Sequence, residues 1–285
     1  MKPERIGIDR RDGEYFAARL SDSAGRPEVR ALLRLEQKHL GSHRLLTGGQ
    51  IVLAVPDDQV MVKSLHLKAS VPSSVEDRAM FELASTVLDS EDNFQFDLIE
   101  TGLEDRYVGL IYRQKRLTGL RKEIIPEGQS GKPTANYTMR AMALGRGYTS
   151  FCRVEPGELL CLVDIGEQAV SICFLYRRKI VALAGMKFDP SVLATDEGQT
   201  HLAIELKTVV NFWQAALAHQ SITVPLAKLI LSGGLTGNEI PKPLADLFPT
   251  GIVRPTMNMA FFGDQAHSPD IPFDNYLIAL GLAAG

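Results

Sequence analysis

The sequence is poor in the residues that announce a specialised protein. Three of its 285 residues are cysteine, Cys152, Cys161 and Cys173, too few and too unevenly spaced for a disulfide framework. No Cys-x-x-Cys occurs and no histidine stands at zinc-ligand spacing beside them, so the thiols read as small buried side chains. The six histidines, His39, His43, His66, His201, His219 and His267, form no spaced cluster and carry no metal or general-base assignment. No stretch reaches the roughly 18 apolar residues of a membrane-spanning helix. The opening Met1-Lys2-Pro3-Glu4-Arg5 lacks the apolar run of a signal peptide. No basic block suggests a polybasic anchor, and 31 Lys plus Arg against 34 Asp plus Glu, a net charge of -3, argues against an electrostatic nucleic-acid partner. The expected location is the cytoplasm.

What is present is globular. The chain is 45% hydrophobic and 23% charged, and its length suits one large or two smaller domains with a core that needs no staples. One feature is unusual. Leu277 to Gly285 is apolar to the last residue, where termini are more often polar. That leaves open a further linker or membrane segment.

The pattern predicts strands over Arg5–Asp9 and Glu14–Leu20, joined by an Asp12-Gly13 hairpin turn. Ile51–Val55 is a short buried strand that Pro56 stops. A different rhythm follows. A strand at Val60–Leu67 leads to a helix capped by Ser73 or Ser74, with apolar positions from Val75 to Leu88. Strands at Phe94–Glu100 and Tyr107–Tyr112 and a helix over Lys115–Ile124 complete a small unit. Pro126 to Pro133 reads as a loop, and Asn136–Leu144 as a helix. In the second half, strands at Leu159–Gly166, Ala169–Tyr176 and Lys179–Gly185 form a meander. A long helix over Glu197–His219, a strand at Leu229–Leu231 and a closing helix over Asp274–Ala284 follow.

The halves repeat a device. Gly7-Ile8-Asp9 and Val163-Asp164-Ile165-Gly166 each put an aspartate at a strand end before a tight hairpin, and Ser232-Gly233-Gly234 follows another strand. A strand-end aspartate can hold a hydrated Mg²⁺. A tight glycine turn lets backbone N–H groups approach phosphate oxygens.

Together with Val52-Leu53-Ala54-Val55-Pro56-Asp57-Asp58, Val62-Lys63-Ser64-Leu65-His66-Leu67 and Ile278-Ala279-Leu280-Gly281-Leu282-Ala283, these motifs resemble the actin-like superfamily. Within it they are most similar to the PilM-like branch shared with the division protein FtsA, to which the cytoplasmic GspL domains of type II secretion are related. The resemblance implies an α/β, actin-like (ribonuclease H-like) two-lobed fold with an inserted small FtsA/PilM-type subdomain. Residues 1–150 would form the first lobe, with the insertion at about 60–125, and 151–285 the second. It implies a cytoplasmic platform or scaffold component of type IV pilus, or related type II secretion, assembly. Such a protein binds the amino-terminal segment of a PilN-like inner-membrane protein at the inner face of that membrane, held there through the partner or a further C-terminal segment. A homo-oligomer stays open.

The same resemblance places ATP with Mg²⁺, if nucleotide binding is retained, against Asp9, Arg10, Arg11, Asp164, Gly166, Glu205, Lys207, Ser232, Gly233 and Gly234, with Asp9 and Asp164 holding Mg²⁺ through water. The chain departs from the pattern in the first turn, where Arg11 stands in place of a glycine. Arg10 and Arg11 read as solvated turn residues, with phosphate binding through their side chains as the alternative. Glu167 sets a charge where phosphate would come, and Glu205 and Lys207 also fit a solvated helix face. Weak or lost nucleotide binding and no catalytic residue are therefore expected. The alternatives are an active actin-like ATPase and a sugar or acyl kinase of the same superfamily. The second lacks a candidate catalytic aspartate and is opposed by the inserted subdomain.

Overall fold

The computed structural model describes residues 4–11, 13–23, 26–36, 49–68, 74–87, 93–125, 135–166, 169–189, 193, 195–233, 240–262 and 272–285. Asp12, Ser73, Leu88, the Pro126 to Pro133 loop, Glu167, Gln168 and Gly234 lie outside the described residues.

Two five-stranded sheets have the same plan. The first holds β1 (Arg5–Arg11), β2 (Glu14–Ser23), β3 (Arg26–Glu36), β4 (Gln50–Val55) and β8 (Ala135–Met139), in the order β3-β2-β1-β4-β8. The second holds β9 (Leu159–Ile165), β10 (Ala169–Tyr176), β11 (Lys179–Lys187), β12 (Leu226–Gly233) and β13 (Ile252–Val253), in the order β11-β10-β9-β12-β13. In each, the first three strands are antiparallel neighbours and the last two join in parallel. The repeated strand-end aspartate is thus one mark of a repeated sheet topology. Asp9 and Asp164 occupy corresponding central strands.

Between β4 and β8 the chain builds a third, three-stranded sheet, ordered β5 (Val60–His66), β7 (Arg106–Arg113), β6 (Phe94–Glu100). Two helices accompany it, α1 (Val75–Ala84) and α2 (Gln114–Ile124). The Ser74 hydroxyl accepts the Asp77 N–H at 3.0 Å and starts α1. Leu65, Leu83 and Ile111 pack on the α1 face, while Val108, Leu110, Tyr112 and Leu117 join the core shared with the large sheets.

The helix expected over Asn136–Leu144 is instead strand β8 followed by α3 (Arg140–Phe151). Parallel pairing of Ile51 to Val55 with Ala135 to Met139 wins over the local helical reading because it completes a sheet. β3 is a strand that the sequence reading does not assign. α4 (Asp196–Ala218) starts at Thr195, whose hydroxyl accepts the Gly198 N–H at 3.1 Å, and Asp196 and Glu197 complement its dipole. A short α5 (Lys242–Leu247) follows β12.

The closing helix is a 3-10 turn over Phe273–Tyr276 and then α6 (Leu277–Ala284). Every residue from Leu277 to Ala283 is buried. The apolar end of the sequence is explained by this burial: α6 packs on α3, β1 and β2. The two helices cross with glycine against backbone. A Cβ on Gly281 would fall inside the Ala143 carbonyl oxygen, and one on Gly147 inside that of Leu277.

Candidate functional site: a self-paired cleft

β1 and β9 bring their terminal aspartates together between the two large sheets. Asp9 and Asp164 are both fully buried. Residues two apart on a strand share a face, so Arg11 follows Asp9 inward and Arg10 points away. Arg10 is exposed and ion-paired to Glu123 of α2, as a solvated turn residue would be. Arg11 is not solvated: it is only 2% exposed, which corrects that expectation for this residue.

Arg11 grips the opposite aspartate. Its Nη2 donates to Asp164 Oδ1 at 3.1 Å and Oδ2 at 2.9 Å, and lies 3.6 Å from Asp9 Oδ2. Its guanidinium stands 5.8 Å from the Phe16 ring centroid, a cation–π distance. A second arginine, Arg140 at the start of α3, donates from Nη2 to Asp164 Oδ1 at 3.0 Å and sits 3.3 Å from Asp9 Oδ2. Its Nη1 donates to the Arg10 carbonyl at 3.1 Å. The Ser232 hydroxyl donates to Asp164 Oδ2 at 2.9 Å. The four charged groups sum to zero.

Burial acts to raise the pKa of both carboxyls. At Asp164 the Arg11 and Arg140 guanidiniums outweigh it and hold the group below its usual range. At Asp9 burial wins over the more distant arginines and the pKa is raised. Burial also opposes the charge on Arg140, but Asp9, Asp164 and Asp57 outweigh it and keep its pKa above the ordinary value.

The turns around this cluster are engaged internally. The Gly166 N–H donates to the Ala169 carbonyl at 2.9 Å and closes the β9–β10 turn. Gly233 has φ +75°, open to glycine, and the space where a Cβ would stand is taken by Arg11 Nη1, 2.5 Å away. Glu205 is paired with His201 on its own helix, at 3.3 Å. Lys207 Nζ lies 5.0 Å from the Phe248 ring centroid. Glu205 and Lys207 thus engage groups outside the cluster.

A magnesium–phosphate group does not fit this arrangement as it stands. Both oxygens of Asp164 accept from guanidinium or hydroxyl donors, and Arg11 fills the space beside Gly233. Among the described residues, no group of three or more His, Cys, Asp or Glu side chains is placed to hold a metal.

The cluster floors a groove of about 670 Å³ between the ends of β1 and β4 and helix α2. Asp9 and Arg140 line it together with Ala54, Pro56, Gly119 and Leu120.

Two residues here escape the sequence reading. Arg140 stands alone in the apolar run Met139 to Leu144, and an isolated charge in such a run is the signal that a buried partner awaits it. Asp57 is buried beside the cluster. Its Oδ1 accepts the Ala141 N–H at 2.9 Å, so it caps α3 from a distance. Burial pushes its carboxyl up to about 7, against the hydrogen bonds from Ser171 and Ala141.

No protein-family model matches the sequence, and no curated protein matches it. Solved structures do. A chain of a PilM–PilN type IV pilus biogenesis complex superposes with a TM-score of 0.65 at 15% identity, covering 99% of this chain and 98% of that one. A Bacteroides thetaiotaomicron protein of actin-like ATPase fold and unknown function gives 0.55 at 10% identity, covering 98% and 96%. The cytoplasmic domain of EpsL, an inner-membrane component of the Vibrio cholerae type II secretion system, gives 0.46 at 13% identity, covering 82% and 84%. The chain has the actin-like α/β fold.

Proposed function

We propose that this protein is a partner-binding platform component of a type IV pilus assembly machine, and that it works without nucleotide turnover. The observation that carries the second half is the Arg11–Asp164–Arg140–Asp9 cluster. Where an actin-like protein offers two carboxylates and two glycine turns to Mg-ATP, this chain offers Asp164, already held by hydrogen bonds from its own arginines, and Asp9, buried 3.3–3.6 Å from the same guanidiniums. Support for the first half is the full-length likeness in fold to a chain of the PilM–PilN complex and the order of the sequence motifs.

In this reading the chain divides at about residue 150 into two lobes, with the subdomain of about 60–125 on the first. The groove between the first sheet and α2 takes an extended amino-terminal segment of a PilN-like inner-membrane protein. Backbone groups and side-chain pockets together can hold such a segment. Partner binding then brings the protein to the inner face of the membrane; among the described residues no helix is long and apolar enough to cross one.

Two measurements test the proposal. A ligand at a hundred times its dissociation constant stabilises a fold by about 2.7 kcal/mol, so thermal melts with millimolar Mg-ATP should show no shift. A clear rise that disappears in Asp164→Ala, with steady phosphate release, would restore the ATPase. Co-expression with the PilN-like protein of the same genome should yield a complex that Leu120→Asp weakens. A complex indifferent to that change would move the partner elsewhere.

A further inference from the structure

The outer face of the three-stranded sheet is incompletely covered. Three strands about 4.8 Å apart, with their side chains, make a face wider than one helix of about 10 Å can close. α1 is the helix packed there, over Leu65, Ile111 and Gly109. Grooves remain on both of its flanks. The one against the end of β5 has a balanced rim, with Lys68 and Arg78 facing Asp77 and Glu82.

The groove against β6 is different. It has a volume of about 530 Å³. Its floor is apolar, formed by Val75, Ala79 and Leu83 of α1 with Phe96, Leu98 and Tyr107 of the sheet. Met80, 47% exposed, stands at its edge. Its charged rim, among the described residues, is Glu76 of α1 and Glu100 of β6, with no cation; alternation along β6 turns the Asp97 side chain to the opposite face, that of Ile99 and Tyr112. Among the described residues, neither Glu76 nor Glu100 makes an ion pair. The strand beside the groove is also a sheet edge: β6 pairs with β7 on one side and with no described strand on the other.

A free strand edge, an apolar floor and a rim of one charge sign select one kind of occupant. We propose that this margin docks an extended basic segment of another protein, with apolar residues alternating and lysine or arginine between and beside them. The segment lengthens the sheet beyond β6 through backbone hydrogen bonds. Its apolar side chains enter the groove over Phe96 and Leu98. Its cations meet Glu76 and Glu100, which steers approach and fixes register. This surface lies on the face of the small sheet opposite α2, so it is separate from the groove proposed for the PilN-like segment and does not depend on that reading.

The test uses a fluorescent decapeptide of alternating lysine and valine, with the intact protein, at low salt of about 50 mM. Three comparison arms are the glutamate–valine decapeptide, a backbone N-methylated lysine–valine peptide, and the Glu76→Lys/Glu100→Lys protein. Both substituted positions are exposed and, among the described residues, unpaired, and the variant's melt checks its fold. The expected result is saturable binding, weakened roughly tenfold or more by the charge reversal and by N-methylation, and absent for the glutamate peptide. Amide shifts on titration should centre on β6. The proposal is overturned by no binding at about 1 mM peptide, by equal binding of the glutamate peptide, or by indifference to the double substitution. It is also overturned if the protein alone is a dimer that the double substitution dissociates, since the occupant would then be a second copy.

Discussion

Replacing Arg11 with methionine keeps most of the side-chain volume and removes one charge from the buried cluster. Before the change, two arginines balance two aspartates. Afterwards Arg140 alone faces both, and the cluster carries one uncompensated negative charge. Breaking a buried ion pair by removing one partner typically costs about 3–5 kcal/mol. Asp164 retains Arg140 at 3.0 Å and Ser232 at 2.9 Å, which puts the expected loss near the lower end, about 3 kcal/mol at pH 8. The loss should depend on pH. Asp9 is already raised by burial, and Arg11 is one of the groups that lower it, so its pKa rises further in the variant. The folded state then holds a proton that the unfolded chain has released. Stability falls as pH rises through that interval, by up to about 1.4 kcal/mol per unit. Where the pH is low enough to protonate Asp9, the cluster is neutral again and the variant recovers part of its loss. Asp9→Asn in the same chain achieves that neutrality at every pH, so the double variant should be more stable than Arg11→Met alone at pH 8. Urea unfolding followed by far-UV circular dichroism and by Trp213, the single tryptophan, reads the parent and both variants. A loss below about 1 kcal/mol, a loss that does not shrink anywhere as pH falls, or no recovery from Asp9→Asn would refute the reasoning.

Asp57, raised by burial to about 7, stabilises the fold fully below its unfolded value near 3.8, and that contribution is lost as pH rises through about 7. Denaturation of Asp57→Asn should therefore show a flatter pH profile and a higher midpoint than the parent at pH 8, from a difference of up to about 4 kcal/mol. Gly281→Ala should destabilise by more than about 3 kcal/mol, because the new methyl meets the Ala143 carbonyl where the helix cannot retreat; a melting temperature close to the parent's would show that α3 and α6 can separate. The three cysteines are buried and unpaired, and burial pushes the Cys152 thiol up to about 12, so a thiol reagent should label none until urea unfolds the chain.

Local pattern made much of the fold legible. The β1–β2 hairpin, β6, α2 and the long α4 each announce themselves by period or cap within their own segment. β8 does not, because Ala135 to Met139 becomes a strand only through parallel pairing with β4, from which the third sheet separates it in sequence. The same distance hid Arg140, whose role follows from standing directly after β8. The strand-end aspartates were readable as a pair. That Arg11 would close on Asp164 needed the two sheets to be brought face to face, although alternation along β1 already turned it inward beside Asp9.

The glycine-to-backbone crossing of α3 and α6 has a consequence for the order of events during synthesis. β1 leads the described chain, yet the helix packed against it and across α3 is translated only after the whole second sheet. At roughly 5–20 residues per second, β1 waits on the order of tens of seconds for that contact. Until then its buried face must be held by β2, β4 or a chaperone. A ribosome stalled just before Leu277 should therefore carry a first sheet that a protease still cuts, and one stalled well past Ala284 a sheet that resists it.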